Sequence, residues 1–367
     1  MRTVLFGAAG YTGELTARAM VARGLQPVLA GRNRARLESL AAELGGLPVA
    51  VADAEHPATI AACLEPGSVL VTTVGPFLRY GEAAVTAAID AGAAYVDAAG
   101  EPPFVRRVFE VHGPRAERAG VPLLPSFAFD CVPGNLAGAL ALEEAGPAAR
   151  RVDVGYFMPG DRRGWQSAGS RASFLAAAIE PSFAWRGAIH GERSAARVRS
   201  FTLASRRCTG VSAGTSEHFS LPRLYPQLAE VNVYLGYLDG PARAMQALSL
   251  AGAGVLAVPG AHRVARRLTQ TLVRRAPGSG PDARSRARTG TAVVAVTYDG
   301  QSRLLSEVHL TGANGYAFSA EILAWAAAEA AAGRVRGAGA VGPVEAFGID
   351  ALEAGCATAG MTRAAAG

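Results

Sequence analysis

Residues Thr3 to Arg32 read TVLFGAAGYTGELTARAMVARGLQPVLAGR, and the order of residue types in this stretch decides the fold. A short apolar run enters a turn carrying Gly7, Gly10 and Gly13 at the spacing GxxGxxG, and a helical stretch then leads to a second apolar run ending in Gly31-Arg32. Strand, glycine turn, helix and strand in that order form a βαβ dinucleotide site. The first glycine permits a tight exit from the strand, and the others let backbone and helix approach a pyrophosphate closely. A helix starting at Tyr11 and Thr12 aims unpaired N–H groups and the positive end of its dipole at that anion. NAD-preferring sites hold an acid about 20 residues beyond the glycines, and here that place holds Arg32. An acid would repel a 2′-phosphate, whereas a guanidinium pairs with it through charge-assisted hydrogen bonds. The expected cofactor is therefore NADP(H).

The pattern continues outward. Arg34 to Leu44 has helical spacing, Leu47 to Ala52 reads as a third strand ending at Asp53, and Ser68 to Val74 is a β-branched run followed by Gly75-Pro76-Phe77. A helix over Glu82 to Ala91, strands at Ala93 to Asp97 and Val121 to Ser126, and a helical Phe104 to Ala119 complete the alternation. This predicts an α/β domain with a doubly wound parallel sheet of about six strands, whose ligand crevice lies beyond the strand carboxyl ends. Gly7 to Gly13, Arg32, Asp53, Thr73 to Phe77, Asp97 to Glu101 and Phe127 to Cys131 all follow a strand end, so all are expected at one edge. Past Arg150 the rhythm changes: Val152 to Phe157, Ala196 to Leu203, Glu217 to Leu221, Val231 to Leu235, Thr291 to Tyr298 and Leu304 to Leu310 read as strands without regular intervening helices. A second, α+β domain with a mostly antiparallel sheet is expected there. Ser319 to Ala332 is strongly helical, with glycine-rich turns after it.

Composition narrows the function. The 367 residues are 50% hydrophobic, enough for two domains with substantial cores. Cys63, Cys131, Cys208 and Cys356 are scattered without a CxxC pair, and the six histidines show no ligand spacing, so no disulfide framework and no metal site are expected. The net charge of +6 is carried by arginine alone, because the chain contains no lysine. That excludes a P-loop lysine, a Schiff-base nucleophile and the Tyr-xxx-Lys pair of short-chain reductases. Arginine replacing lysine in an alanine-rich chain reads as compositional bias, so nucleic acid is not an expected partner. Arg284, Arg286 and Arg288 after Pro277-Gly-Ser-Gly-Pro281 read as a solvated loop, with a docking patch for an acidic carrier or a phosphate-bearing substrate as the sharper alternative. No apolar run reaches the length of a membrane span, and the first strand begins at Thr3, so a cytoplasmic protein without a signal peptide or integral membrane segment is expected. The apolar stretch Ala244 to Val258 reads as a buried helix of the second domain, or alternatively as a lip for a greasy substrate.

The runs GAAGYTGELTAR, LAGRN, VGPFLRYGEAAVTAAIDAGAAYVDAAGE and FAFDCVPGNLAG resemble the NADP-binding half of the saccharopine dehydrogenase-like reductases, within the branch that includes bacterial trans-acting enoyl reductases. YPQLAEVNVYLGY, GPDARSRARTGTAVVAVTYDG and ANGYAFSAEILAWAAA are weaker echoes of the group's second half. The resemblance implies a Rossmann domain over 1–147, an α+β substrate and dimerisation domain over 148–315, C-terminal helices over 316–367 packing back on the first domain, and a homodimer. It implies hydride transfer between NADP(H) and a C=C or C=N bond of a small or acyl-carrier-linked substrate. It also implies that Arg32 and Asn33 hold the 2′-phosphate, Asp53 and Ala54 the adenine edge, and Val74, Gly75, Pro76 and Phe77 the nicotinamide ribose.

Hydride transfer asks the protein for orientation, exclusion of water and a proton source. Asp130 and Cys131 precede a helix expected over Pro133 to Glu144. Asp130 reads either as its cap or as the residue that supplies a proton, directly or through a water. Cys131 reads as a small packing residue or as a thiol of lowered pKa. Tyr80 and Glu101 are the other titratable groups expected at the edge, each with a structural reading beside the acid one. His190, His218 and His309 read as structural residues on strands of the second domain. The competing class is a non-catalytic NADP(H)-binding sensor or assembly partner, since no catalytic pair as distinctive as Ser-His-Asp is present.

Overall fold

The computed structural model describes residues 1–159, 167, 180–236, 242–256 and 280–364. They divide into two compact units: Met1–Ala99, Phe104–Phe129 and Tyr316–Gly360 form the first, and Gly100–Pro103, Asp130–Gly315 and Met361–Gly367 form the second.

The first unit is built on a parallel sheet. Its strands are β1 (Thr3–Phe6), β2 (Val28–Gly31), β3 (Val49–Val51), β4 (Val69–Thr72), β5 (Ala94–Asp97), β6 (Pro122–Leu124) and β15 (Gly339–Ala340), in the order β15-β6-β5-β4-β1-β2-β3. β1 pairs with β4 on one side and β2 on the other, so the strand order reverses at β1, where doubly wound sheets bind ligands. β1, β2 and β4 are buried along their whole length, which explains why they read as unbroken apolar runs. The sheet has seven strands where the sequence suggested about six. The seventh, β15, comes from the glycine-rich tail, whose sequence reads as turns. That tail also forms the helices Pro343–Phe347 and Ile349–Thr358. Phe104 to Ala119 is helical as expected, but as two α segments joined by a π-helical turn at Val108–His112.

The second unit holds a nine-stranded mixed sheet. β10 (Val198–Leu203), β11 (Arg206–Ser212), β12 (Glu230–Gly236), β7 (Arg151–Phe157), β13 (Thr291–Tyr298), β14 (Leu304–Gly312) and β16 (Met361–Arg363) run across it in that order, while β8 (Pro181–Arg186) pairs with β12 and β9 (Ile189–Arg193) with β8. β12 and β7 are parallel and the remaining pairs antiparallel. Because successive side chains alternate faces, Tyr156 of β7 points at the helix Val132–Ala145, whereas Phe157 joins Phe201, Tyr234, Ala292, Val294 and Val296 on the opposite face.

Four sequence expectations change here. Glu217 to Leu221 is a helix, Glu217–Leu224, not a strand. The helix Val132–Ala145 groups with the second unit, so the division falls at Phe129/Asp130 rather than at 147; its length packs against β7, β13 and β14. Arg284 and Arg286 lie on a short helix, Ala283–Ala287, with Arg288 closing it; its first turn is capped by Asp282, whose Oδ1 accepts from Ser285 N–H at 2.7 Å. Pro277 to Ser279 lie outside the described residues. The stretch from Ala244 falls on the helix Ala242–Leu256, but Leu248 and Leu250 are 71% and 63% exposed; Ala242 and Met245 pack on Ala195 and Val211. Val258 lies outside the described residues.

Candidate functional site

In the first unit, the glycine turn is fixed by close approach. Gly7 has φ +94°, and a Cβ there would stand 2.8 Å from side-chain atoms of Thr73 and Val74. A Cβ on Gly13 would stand 2.1 Å from the Gly7 carbonyl oxygen. Gly10 N–H donates to the Gly7 carbonyl at 2.9 Å and N-caps the helix Tyr11–Ala22 through its backbone alone. The N-cap position of that helix thus carries no side chain of its own, as suits an anion-binding turn. Tyr11 packs edge-on against Tyr316, ring centroids 5.1 Å apart.

The other cofactor candidates of this unit occupy the ends of neighbouring strands. Arg32 is exposed immediately after β2. Asn33 N-caps the next helix, its Oδ1 accepting from Arg36 N–H at 3.1 Å. That assigns its side-chain oxygen a structural task and leaves its amide NH2 as the group a phosphate could use. Asp53 follows β3; its Oδ1 accepts from Glu55 N–H at 3.0 Å, and Ala54 is half-buried beside it. Thr73 follows β4 and donates to the Gly7 carbonyl at 3.3 Å, tying the two turns together. The Gly75–Pro76 peptide is cis and leads directly into the helix Phe77–Ala91. Tyr80 is half-buried on that helix with the Arg79 guanidinium 4.8 Å above its ring. Asp97, at the end of β5, is fully buried and accepts from Ala99 and Ser126 N–H groups at 2.8 and 2.7 Å. Burial still raises its carboxyl to about 6.

The second unit gathers Glu101, Asp130 and Cys131. Glu101 is fully buried, and a Cβ on Gly100 would lie 3.1 Å from Asp130 Oδ2, so this segment runs against Asp130. The helix behind Asp130 is N-capped by Cys131, with no side-chain cap bond, so Asp130 stands one residue before the cap position. Cys131 is buried, and desolvation, with Glu217 next in weight, pushes its thiol well above the usual range. That direction runs against the activated-thiol reading and suits a packing group.

The helix start is satisfied from elsewhere. Gly134 N–H donates to the Tyr156 hydroxyl at 2.9 Å, and that hydroxyl lies 2.5 Å from Glu217 Oε1 and 3.0 Å from the Cys131 carbonyl. Glu217 is fully buried, with Oε2 lacking a hydrogen bond. Desolvation raises its carboxyl to about 7 against the hydrogen bonds it receives, and the Asp130 charge adds to the rise. Asn135 donates to the Cys131 carbonyl and to Ser216 Oγ, both at 3.0 Å, and accepts from Ser220 Oγ. His218 is buried edge-on to Phe183, centroids 5.5 Å apart, and burial lowers its pKa to about 3, so it stays neutral. His190 and His309 lie on β9 and β14, His309 bonded to Glu307 at 2.6 Å. Sequence reasoning missed Glu217 and Tyr156. The available signal was Ser216-Glu217, a capping hydroxyl followed by a first-turn acid, which marks a helix start. No three-residue His, Cys, Asp or Glu group able to hold a metal occurs among the described residues, nor any helix long and apolar enough to cross a membrane.

Residues 3–124 match the family model described as the saccharopine dehydrogenase NADP binding domain. Trans-acting enoyl reductases of Mycobacterium leprae and Mycobacterium ulcerans are 38% and 37% identical over 139 residues, 36% of this chain and 33% of each relative. The chain thus spans about a third of the length of these curated relatives. Among solved structures, saccharopine dehydrogenase (L-Glu forming) of Saccharomyces cerevisiae superposes with a TM-score of 0.60 at 12% identity, over 96% of both chains. Homospermidine synthase of Legionella pneumophila gives 0.60 at 11% identity, over 99% of this chain and 91% of the other. The fold is that of saccharopine dehydrogenase, and the chain carries that family's NADP-binding domain, with NADP(H) as its cofactor.

Proposed function

We propose that this chain is an NADPH-dependent reductase acting on the C=C bond of an enoyl substrate, small or carrier-linked. The observation that carries this reading is the 38% identity over 139 residues to the trans-acting enoyl reductase of Mycobacterium leprae, joined to a glycine cradle that a Cβ would close. The Gly7–Gly13 turn and the amides at Tyr11 and Thr12 would hold the pyrophosphate. Arg32 with the Asn33 amide would hold the 2′-phosphate, Asp53 and Ala54 the adenine edge, and Thr73 to Phe77 the nicotinamide ribose. When bound, NADPH supplies a hydride. The carbon that then gains negative charge needs a proton, and Asp130, or a water it holds, is the proposed donor. Tyr80 and Glu101 are the remaining candidates to orient substrate, while the buried thiol of Cys131 is left a packing role. The same reading takes the protein as a cytoplasmic homodimer.

The test offers purified protein an enoyl thioester and, separately, a cyclic imine with NADPH, and follows cofactor oxidation. Turnover of the thioester alone is expected. Turnover of the imine alone would move the chemistry to C=N reduction, and tight NADPH binding without oxidation by either would favour a non-catalytic sensor.

A further inference from the structure

On the sheet face opposite the Val132–Ala145 helix, the second unit holds a concavity of about 320 Å³ lined by Arg151, Arg186, Arg197 and Arg199 together with Asp153 and Asn232. The parallel register of β12 on β7 sets Asn232 opposite Asp153, and Asn232 Nδ2 donates to Asp153 Oδ1 at 2.6 Å. This buried pair is the hub of the arginines. Asp153 Oδ2 forms a close ion pair with Arg199 and a looser one with Arg151 at 3.5 Å, while Asn232 Oδ1 accepts from Arg197 and, at 2.7 Å, from Arg186. Aromatic faces fix the planes: Arg151 lies 4.1 Å and Arg199 5.2 Å from the Tyr298 ring centroid.

Charge is not balanced within this cluster. Glu192 holds Arg197 through two oxygens at 2.9 and 3.2 Å, and Glu230 lies 3.6 Å from Arg186 but is 41% exposed. Four guanidinium groups, each 21 to 33% exposed, thus face one buried carboxylate and two at the rim. Nε of Arg199 is buried without a hydrogen-bond acceptor, and Nε of Arg151 has only its 3.5 Å ion-pair contact with Asp153 Oδ2. Fixed, partly desolvated guanidinium groups with donors to spare match a tetrahedral oxyanion, which offers several acceptor oxygens and up to two charges.

We propose that this concavity binds a phosphate-bearing small molecule, the phosphate oxygens taking the remaining N–H groups of Arg151, Arg186, Arg197 and Arg199. The site belongs to the second unit and is independent of the reductase reading. The test uses the full chain saturated with NADP⁺, so that the phosphate contacts of the first unit are filled, and titrates inorganic phosphate, phenyl phosphate and acetate by calorimetry. Saturable binding of both phosphates with much weaker acetate is expected. Tighter binding of the inorganic ion would point to free phosphate, and equal or tighter binding of the monoester to an ester. Arg186→Gln should weaken binding about tenfold, the scale of one charge-assisted hydrogen bond. Asp153→Asn, which removes a fixed negative charge at nearly constant shape, should tighten it several-fold. Absence of saturable binding, or binding that survives Arg186→Gln unchanged but vanishes in Arg32→Glu, would overturn the proposal and leave the arginines only as the counter-charges of Asp153.

Discussion

Arg32 and Glu217 place ionisable groups in opposite surroundings, one exposed and the other fully buried. Arg32 follows directly on a buried strand and is exposed, so its charge is available at the strand's end. On the proposed placement of the 2′-phosphate, replacing Arg32 with Glu puts a like charge beside that group and removes a charge-assisted pair worth about 1.5–3 kcal/mol. NADPH affinity should therefore fall roughly 10- to 100-fold, with NADH favoured relative to NADPH, as read by cofactor titration; unchanged discrimination would contradict the assigned contact. Glu217 works from inside. Its folded-state pKa, raised to about 7 from 4.5, means that the folded chain binds its proton more tightly than the unfolded chain. The stability this confers is complete below about pH 4.5 and is lost as pH rises toward 7, a change on the order of 3 kcal/mol. Asp97, raised to about 6, contributes a slope of the same sign, so the comparison must be with Glu217→Gln. Denaturant unfolding at several pH values should show the variant gaining on the parent as pH rises through this window. A difference independent of pH would mean that Glu217 is not protonated at the lower end.

At the scale of single elements, the helix Val132–Ala145 depends on a glycine more than on its hydrophobic face. A Cβ on Gly134 would lie 2.0 Å from the Tyr156 hydroxyl and 2.4 Å from Glu217 Oε1. Alanine is ordinarily about 1 kcal/mol better than glycine inside a helix. Here Gly134→Ala should instead destabilise by about 2–4 kcal/mol, through overpacking and loss of the Tyr156 bond; a stabilised variant in a thermal melt would refute the cluster. The same element marks the limit of what residue order conveys. β1, β2, β4 and β5 were legible because each is a four-residue, mainly apolar run between turn residues, and the glycine cradle because its spacing is local. Glu217 to Leu221 misread as a strand because its alternation of polar and apolar residues also satisfies a short helix buried on every side. All six residues from Glu217 to Pro222 are buried. β8, β9 and β11 were missed for a related reason: β9 has no buried residue and β8 and β11 have three buried in a row rather than alternating, so no apolar period marks them. The Glu217–Tyr156 contact joins residues 61 positions apart, and no local pattern encodes such a pair.

For the whole molecule, the decisive fact is that the first unit is discontinuous in sequence. Its sheet gains β15 beside β6, with Gly339 opposite Pro122 and Ala340 opposite Leu123. Its core gains Trp325 and Phe347 around Phe127, with centroid distances of 6.3 Å for Phe127–Trp325, 5.7 Å for Phe127–Phe347 and 4.6 Å for Trp325–Phe347. Arg23, which closes the first helix, pairs with Glu321 at 3.1 Å, and Tyr316 packs on Tyr11 beside the glycine turn. Residues 316–360 therefore complete the NADP-binding unit although the matched family domain ends at residue 124. Contacts separated by some 200 positions close a long loop, whose entropy must be offset by the apolar area they bury. Trp325, 9% exposed and packed so closely on Gly355 that a Cβ there would lie 2.6 Å from its ring, carries much of that burial. Trp325→Ala should cost about 3–5 kcal/mol. Amide exchange should then rise across β6 and β15, far from the substitution in sequence. If protection of β6 were unchanged while the segment around Trp325 opened alone, the returning helices would be an accessory covering, and residues 1–129 would suffice to form the NADP-binding unit.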